Sequence, residues 1–168
     1  MPSFHTTRRL VPVVLVLFPA LWGIFSLLNN VSGFAGTAEY AVKPMLAMTD
    51  TYGIPAQTWR AITAEGAAPI ALILITATET LAGVLGFVSF FAMAKNLRAP
   101  AQSFNRAKVP GIFACLAAVA VWGLGFMVVG GDWFLSWPGE QGIMGQLGGM
   151  IYTLPAMFAL IFLVREDD

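Results

Sequence analysis

Four long apolar runs dominate this sequence and restrict it to the folds that a lipid bilayer allows. A helix needs about 20 mostly apolar residues to cross the hydrocarbon, and the runs 10–28, 67–94, 109–129 and 143–164 meet that need. Only 11% of the residues are charged, whereas a soluble domain averages about 25%. Because a spanning segment must satisfy its own backbone hydrogen bonds, the runs predict helices. We expect an all-α, polytopic membrane protein, a four-transmembrane-helix bundle forming a single domain over residues 1–168.

The basic residues are distributed unevenly between the two sides of this predicted bundle. Seven of the nine Lys and Arg residues lie on the side of the two termini and the middle loop: Arg8, Arg9, Lys95, Arg98, Arg106, Lys108 and Arg165. The positive-inside rule therefore predicts that both termini and the middle loop are cytoplasmic. Loops 29–66 and 130–142 then face outward. We expect them to contain short interfacial helices that cap the bundle.

The first apolar run has features of both a signal peptide and a retained anchor. Arg8 and Arg9 precede it, as basic residues precede a signal sequence. Its apolar stretch is longer than the usual hydrophobic region of about 7–15 residues. We therefore expect it to be retained as the first transmembrane helix.

A single acid, Glu79, lies in the middle of the second run. It is twelve residues from the start of that run, which corresponds to a depth of about 18 Å. Trp22, Trp122, Tyr152 and Thr76 fall near the same level, and a buried carboxyl group needs donors such as indole and hydroxyl groups. We expect an intramembrane polar cluster of these five residues. It could be a clamp between helices or a proton or cation site, and the pattern allows both.

The outward loops carry a second group of candidate site residues, rich in aromatic rings and acids. They are Asp50, Trp59, Arg60, Asp132, Trp133, Phe134 and Trp137. Tryptophan is enriched where a membrane meets water, which favours an anchoring role. Aromatic rings beside acids can also bind a cation, which is the alternative. No metal site is predicted.

These loop motifs resemble one protein family. They read Met45-Leu46-Ala47-Met48-Thr49-Asp50-Thr51, then Trp59-Arg60-Ala61-Ile62, then a Glu in the second run, then Gly130-Gly131-Asp132-Trp133-Phe134 with Trp137. In this order they resemble the bacterial "predicted small integral membrane protein" family of unknown function (domain of unknown function two-one-six-five). The resemblance implies four spans and residence in a membrane, and it implies no established activity.

Small residues at four-residue spacing indicate where helices approach closely. The last run contains Gly145 and Gly149, and the second contains Ala82 and Gly86. Residues of this size at this spacing let helix backbones come together in a membrane. These faces could pack inside the bundle or against another membrane protein.

Catalytic chemistry has little support in the sequence. Cys115 and His5 are the only residues of their types, and no HExxH or phosphate-binding glycine motif occurs. The formal net charge is zero, so nothing indicates nucleic acid. We expect no cofactor, although contact with lipid or quinone is compatible with the pattern.

Two functions remain open from the sequence. The first is a small non-enzymatic accessory or structural subunit that packs against a larger inner-membrane complex. The alternative is an oligomeric transporter, for a small solute or coupled to protons, that uses Glu79. The lipid bilayer is the expected partner in both, with a larger membrane complex or a homo-oligomer beside it.

Overall fold

A computed structural model describes residues 4–167, and within that range the chain is helical with no strand. Its elements are α1 (Phe4–Leu15), α2 (Leu17–Ser32), α3 (Phe34–Thr37), a first π-helical segment (Ala38–Val42), α4 (Lys43–Ala47), a 3-10 turn (Thr58–Arg60), α5 (Ala67–Lys95), α6 (Ala101–Ala118), a second π-helical segment (Val119–Trp133) and α7 (Glu140–Leu163).

Four helices are long and apolar enough to cross a membrane. They are Thr6–Ser32, Ala67–Lys95, Ala101–Trp133 and Gly142–Leu163, here called spans one to four. Each buries about a third of its most apolar stretch inside the bundle, and the remaining apolar surface faces outward. The expected all-α bundle of four transmembrane helices is confirmed.

Span three is longer at both ends than the predicted run 109–129. At its start, the helix includes Lys108, whose charge ended the predicted run, because that side chain is buried and donates to the Arg165 carbonyl oxygen over 2.6 Å. At its far end, the sequence suggests a break at Gly130 and Gly131. The helix instead continues through both as a π-helix to Trp133.

Span one is interrupted for one residue, Val16, between α1 and α2. Proline has no backbone N–H, so Pro19 leaves the carbonyl group of Leu15 without its usual partner one turn earlier. The regular hydrogen-bond pattern of span one is therefore broken at this level.

Beyond α2 the chain remains helical and forms a cap over the start of α5. Ala38, Val42 and Leu46 pack against Ala68 and Leu72 of α5 in one buried apolar cluster. The cap ends at Met48, which has a left-handed backbone conformation (φ 54°). Short helices thus occupy much of loop 29–66, and Thr58–Arg60 forms one 3-10 turn.

Spans one and two are in close contact, and this contact determines the position of Glu79. A Cβ atom added at Gly23 would overlap the backbone of Glu79 and Gly83, and one added at Gly86 would lie 2.8 Å from Ala20 Cα. Small residues let helices approach to this distance in a membrane. The backbone that carries Glu79 is therefore held directly against span one.

Both ends of the described chain meet at one end of the bundle. Arg9 forms an ion pair with Asp167 and donates to the Ala99 carbonyl oxygen over 2.6 Å. Its guanidinium also lies 4.7 Å from the centre of the Phe104 ring. We call this the basic end and the opposite end, formed by residues 33–66 and 134–139, the capped end.

Candidate functional site

Glu79 is buried, with 3% of its surface exposed, and receives hydrogen bonds from two neighbouring spans. Trp122 of span three donates its indole N–H to Oε1 over 2.9 Å. Asn30 of span one donates through Nδ2 to Oε2 over 2.8 Å, and the Ser26 side chain supplies a further hydrogen bond. The carboxyl group therefore accepts hydrogen bonds from span one and from span three.

Three aromatic rings lie together behind the carboxyl group. The ring centres of Trp22 and Tyr152 are 4.7 Å apart, those of Trp122 and Tyr152 5.1 Å, and those of Trp22 and Trp122 6.4 Å in an edge-to-face arrangement. Such pairs contribute about 0.5–1.5 kcal/mol beyond the area they bury. Spans one, three and four therefore meet at the level of Glu79. We call Trp22, Trp122 and Tyr152 the aromatic cluster.

The structure brings Glu79 and Trp122 into direct contact, while the other three predicted members take different positions. Trp22 and Tyr152 contact Trp122, and among the described residues neither has a hydrogen bond to Glu79. The Thr76 hydroxyl is buried without a hydrogen-bond partner among the same residues. Thr76 therefore lies on the same helix as Glu79 but makes no hydrogen bond to the Glu79 carboxyl group.

Sequence reasoning missed the two polar partners that span one supplies. Ser26 and Asn30 follow Trp22 at intervals of four residues. Residues four apart lie on the same helical face, so Trp22, Ser26 and Asn30 form one stripe. This four-residue spacing is the sequence feature that could have predicted these two partners of Glu79. Asn30 was instead assigned to a loop, because the predicted first run ended at residue 28.

A cavity of about 330 Å³ extends from the capped end to Glu79. Its polar lining consists of Ser26, Asn29, Asn30, Thr37, Asp50, Thr51, Glu79 and Ser136, and its other lining residues include Leu72, Ile75, Met45, Phe126, Phe134 and Gly145. Asn29 and Asp50 are also exposed on the surface, so the cavity communicates with its surroundings there. The aromatic cluster does not line it. The cavity therefore ends at the carboxyl group, with the aromatic cluster behind.

Asp50 is the second acid of the cavity and lies near its opening. Its carboxyl group packs directly against Gly139, the residue that precedes α7. A Cβ atom at residue 139 would overlap that carboxyl. A larger residue at position 139 would therefore displace the Asp50 side chain from its present position.

The other predicted loop residues form an aromatic surface beside the cavity. Trp59 and Trp133 meet edge to face with ring centres 6.1 Å apart. Arg60 lies 5.2 Å from the centre of the Trp133 ring and donates to the Asp132 carbonyl oxygen over 3.4 Å. Trp137 packs in the same way on Tyr52, at 5.5 Å.

Phe134 differs from these neighbours because it is buried, with 5% of its surface exposed, and lines the cavity. It packs with Leu46 and Leu72 in the apolar cluster of the cap. Of the aromatic residues in the loop motif, Phe134 is therefore the one that joins the cap to the cavity.

The two glycines of the predicted Gly145-xxx-Gly149 step have different surroundings. A Cβ atom at Gly149 would lie 2.7 Å from the Trp122 carbonyl oxygen, so this glycine lets span four approach span three. Nothing lies within 4 Å of the corresponding position at Gly145, which instead lines the cavity. Ala82 is fully buried in the core, and Gly86 contacts Ala20.

A metal centre of protein ligands has no support in the described part of the chain, where no group of three or more His, Cys, Asp or Glu side chains converges. Cys115 is buried in the core as a free thiol. At the centre of the site is therefore the buried carboxyl group of Glu79 with its neutral hydrogen-bond donors. The aromatic cluster lies on one side of this group and the open cavity on the other.

Comparison with protein families finds a match over nearly the whole length. Residues 8–166 match the family described as "Predicted small integral membrane protein (DUF2165)". The chain belongs to this family. It is accordingly an integral membrane protein, and the DUF2165 match covers nearly all of the four apolar helices described above. No curated protein and no solved structure matches the chain.

Proposed function

We propose that this protein is a non-enzymatic membrane transporter that takes a small solute from the capped end into the cavity and holds it at Glu79. The observation that carries this proposal is the cavity itself, which begins among exposed residues and ends at a buried carboxylate. Binding cavities for small molecules are concave and mostly apolar, with a few convergent polar groups. Ionisable residues inside membrane spans commonly mark solute or proton pathways.

Passage beyond Glu79 requires the aromatic cluster to move, because these rings lie behind the carboxyl group and outside the cavity. Trp122 belongs to both parts, since its ring packs in the cluster while its N–H binds Glu79. A solute that takes over the hydrogen bond to Glu79 would release Trp122. The aromatic cluster is in this proposal the gate on the basic side of the site.

The proposed orientation places the capped end outside the cytoplasm of a bacterial inner membrane, with both termini cytoplasmic. Lys43 and Arg60 are the two basic residues of the capped end, against seven at the basic end, and the positive-inside rule supports this assignment. A reporter fused after Asp168 tests it. We expect activity from a cytoplasmic reporter and none from a periplasmic one, and the reverse result would invert the topology.

Access to the cavity can be tested with a single introduced thiol. Ile75 lines the cavity and lies one turn from Glu79, so Ile75→Cys in a Cys115→Ala background should react with a membrane-impermeant maleimide added at the capped end. The natural chain, whose only cysteine is the buried Cys115, is the negative control. Equal labelling of the two proteins, or none in either, would contradict an open cavity.

Two glycines of α7 provide a matched test that the label enters through the cavity. Both Gly145 and Gly148 have free space at the Cβ position, but Gly145 lines the cavity and Gly148 does not. Gly145→Leu should therefore block labelling of Ile75→Cys, while Gly148→Leu should leave it unchanged.

A second candidate function is the accessory subunit of a larger inner-membrane complex. It is supported by the free space beside Gly148, since small residues at a helix surface let another helix approach. Purification at native abundance in mild detergent, followed by mass spectrometry, tests it. A stoichiometric larger partner, lost in Gly148→Leu, supports this role. Recovery of the chain alone or as a homo-oligomer opposes it.

A further inference from the structure

The cavity contains two acidic side chains and, among the described residues that line it, no basic one. Glu79 and Asp50 are its two acids, and of the described side chains that line it none is Lys, Arg or His. The two basic residues of the capped end are engaged elsewhere: Lys43 pairs with Glu39 over 2.6 Å, and Arg60 lies against Trp133. A positively charged ligand would therefore meet acidic groups and no competing basic group in this cavity.

The hydrogen bonds of Glu79 provide no positive charge and leave room for another donor. Trp122, Asn30 and Ser26 are all neutral donors. A carboxylate has about four acceptor positions, so these donors do not use all of them, and Glu79 itself lines the cavity. A buried charge without an opposite charge is costly in a medium of low dielectric. A bound cation would supply that opposite charge and so favour the ionised form of Glu79.

The lining favours an organic cation over a metal ion. Calcium takes six to eight oxygen ligands, commonly with several carboxylates, and the described residues provide no group of three or more His, Cys, Asp or Glu side chains. The walls are instead apolar and aromatic, with Leu72, Ile75, Phe126 and Phe134 among them. Aromatic rings attract ammonium groups, and a cavity of about 330 Å³ suits a small organic molecule.

We propose that the cavity binds a small organic ammonium ion whose nitrogen donates to Glu79 and whose apolar body lies between Leu72, Ile75, Phe126 and Phe134. This rests on the proposed function, because it names the class of solute for the same site. Asp50 near the opening adds a second negative charge that attracts the same ligand. A protonated amine carries several N–H donors, and the carbonyl oxygen of the Asn30 side chain remains as a second acceptor.

The test uses three probes that share one ring and differ in charge: cyclohexylamine, cyclohexanol and cyclohexanecarboxylate. Binding to the full chain in nanodiscs is measured by saturation-transfer NMR at neutral pH, with empty nanodiscs subtracted. We expect the amine to bind and the other two not to bind. Glu79→Gln and Gly145→Leu should each weaken amine binding at least tenfold, whereas Gly148→Leu should leave it unchanged. Gly145→Leu keeps the carboxyl group, so the test holds even where Glu79→Gln fails to fold.

Other outcomes separate this inference from the proposed function. Binding of cyclohexanol as strong as that of the amine, and unaffected by Glu79→Gln, would overturn the ammonium ligand and leave a solute cavity. Absence of binding by all three probes, with Ile75→Cys still labelled, would also overturn the ammonium ligand alone. Absence of both binding and labelling would overturn the two proposals together.

Discussion

Trp122 donates its indole N–H to Glu79 over 2.9 Å, and this one contact joins span three to span two at the most polar point of the bundle. Both side chains are nearly inaccessible, at 2% and 3% exposed. The donor lies in the π-helical segment Val119–Trp133. Such widened turns occur often at functional sites, in agreement with a role for this segment in positioning the indole.

Replacing Trp122 with Phe should destabilise the protein by about 1–2 kcal/mol. The change keeps an aromatic ring and removes the donor, and hydrogen bonds within membranes contribute on this scale. Unfolding in mixed micelles, followed by circular dichroism, measures the loss. Trp22→Phe is the matched control, because Trp22 shares the ring contacts and, in the described residues, has no hydrogen bond to Glu79. Equal losses in the two variants would show that packing, and not the hydrogen bond, is what matters.

Gly149→Ala should move Trp122 and its neighbour in span three, Phe126, although Gly149 itself does not line the cavity. The added methyl group would press on the Trp122 carbonyl oxygen from 2.7 Å, so the backbone of span three must shift and weaken the bond to Glu79. Tryptophan fluorescence should change in wavelength, and amine binding should weaken severalfold. Gly148→Ala, with free space at the same position, should match the natural protein. If Gly149→Ala changed neither the fluorescence nor amine binding, spans three and four would separate easily at this contact.

Gly23→Ala should cost about 1–3 kcal/mol or more, as overpacking of a filled contact does. Its methyl group would overlap the backbone of Glu79 and Gly83, and a backbone cannot move aside as a flexible side chain can. Gly36→Ala is the control, since its nearest neighbour would be Tyr40 Cδ2 at 3.9 Å. It should be neutral or slightly stabilising, because alanine is the better helix former. Thermal unfolding in nanodiscs distinguishes the two variants.

Asp167 should make the stability of the protein depend on pH in the acidic range, through its ion pairs at the basic end. Burial by itself raises the pKa of Asp167, but the hydrogen bond from Arg9 and the charges of Lys108, Arg9 and Arg8 outweigh burial and hold that pKa below its usual value of 3.8. A carboxyl group whose folded pKa is lowered stabilises the protein above its unfolded pKa. That contribution is lost as the pH falls below about 4.

Asp167→Asn should therefore lower stability at pH 7 by on the order of 1–3 kcal/mol, the usual effect of leaving a buried charged partner unsatisfied. The difference from the natural protein should shrink below about pH 4. Glu166→Gln, at an exposed neighbouring position, is the control. If the difference in stability between the variant and the natural protein stayed constant from pH 3 to pH 7, protonation of Asp167 would not affect the stability of the fold.

The sequence predicts the number of spans and the central acid well, because both depend on local composition. Twenty apolar residues must cross a bilayer whatever their neighbours are, and Glu79 stands out in any such run. The level of Trp122 follows from counting residues along a helix. These features need no knowledge of which helices touch.

The missing parts of the site depend on tertiary contacts. Asn30 reaches Glu79 because Gly23 and Gly83 bring two backbones together, and the sequence does not state that these two glycines face each other. The cavity walls come from the cap and from the segment before α7, whose course is fixed by Met48 and by the contact of Asp50 with Gly139. The predicted run began too late for span three because hydropathy counts Lys108 only as a charged residue. The sequence alone does not show that its partner is the Arg165 carbonyl oxygen.

The hydrogen bonds and ring contacts around Glu79 also order the steps of membrane insertion. A charged residue at the centre of a helix costs about 2.5–3.5 kcal/mol during insertion, and Trp122 and Tyr152 belong to spans that leave the ribosome later. Asn30 and Ser26 precede Glu79 in the chain, so the first hairpin already brings the acid two of its donors. The carboxyl group thus enters the membrane accompanied by span one, and the arrival of span three supplies its last donor.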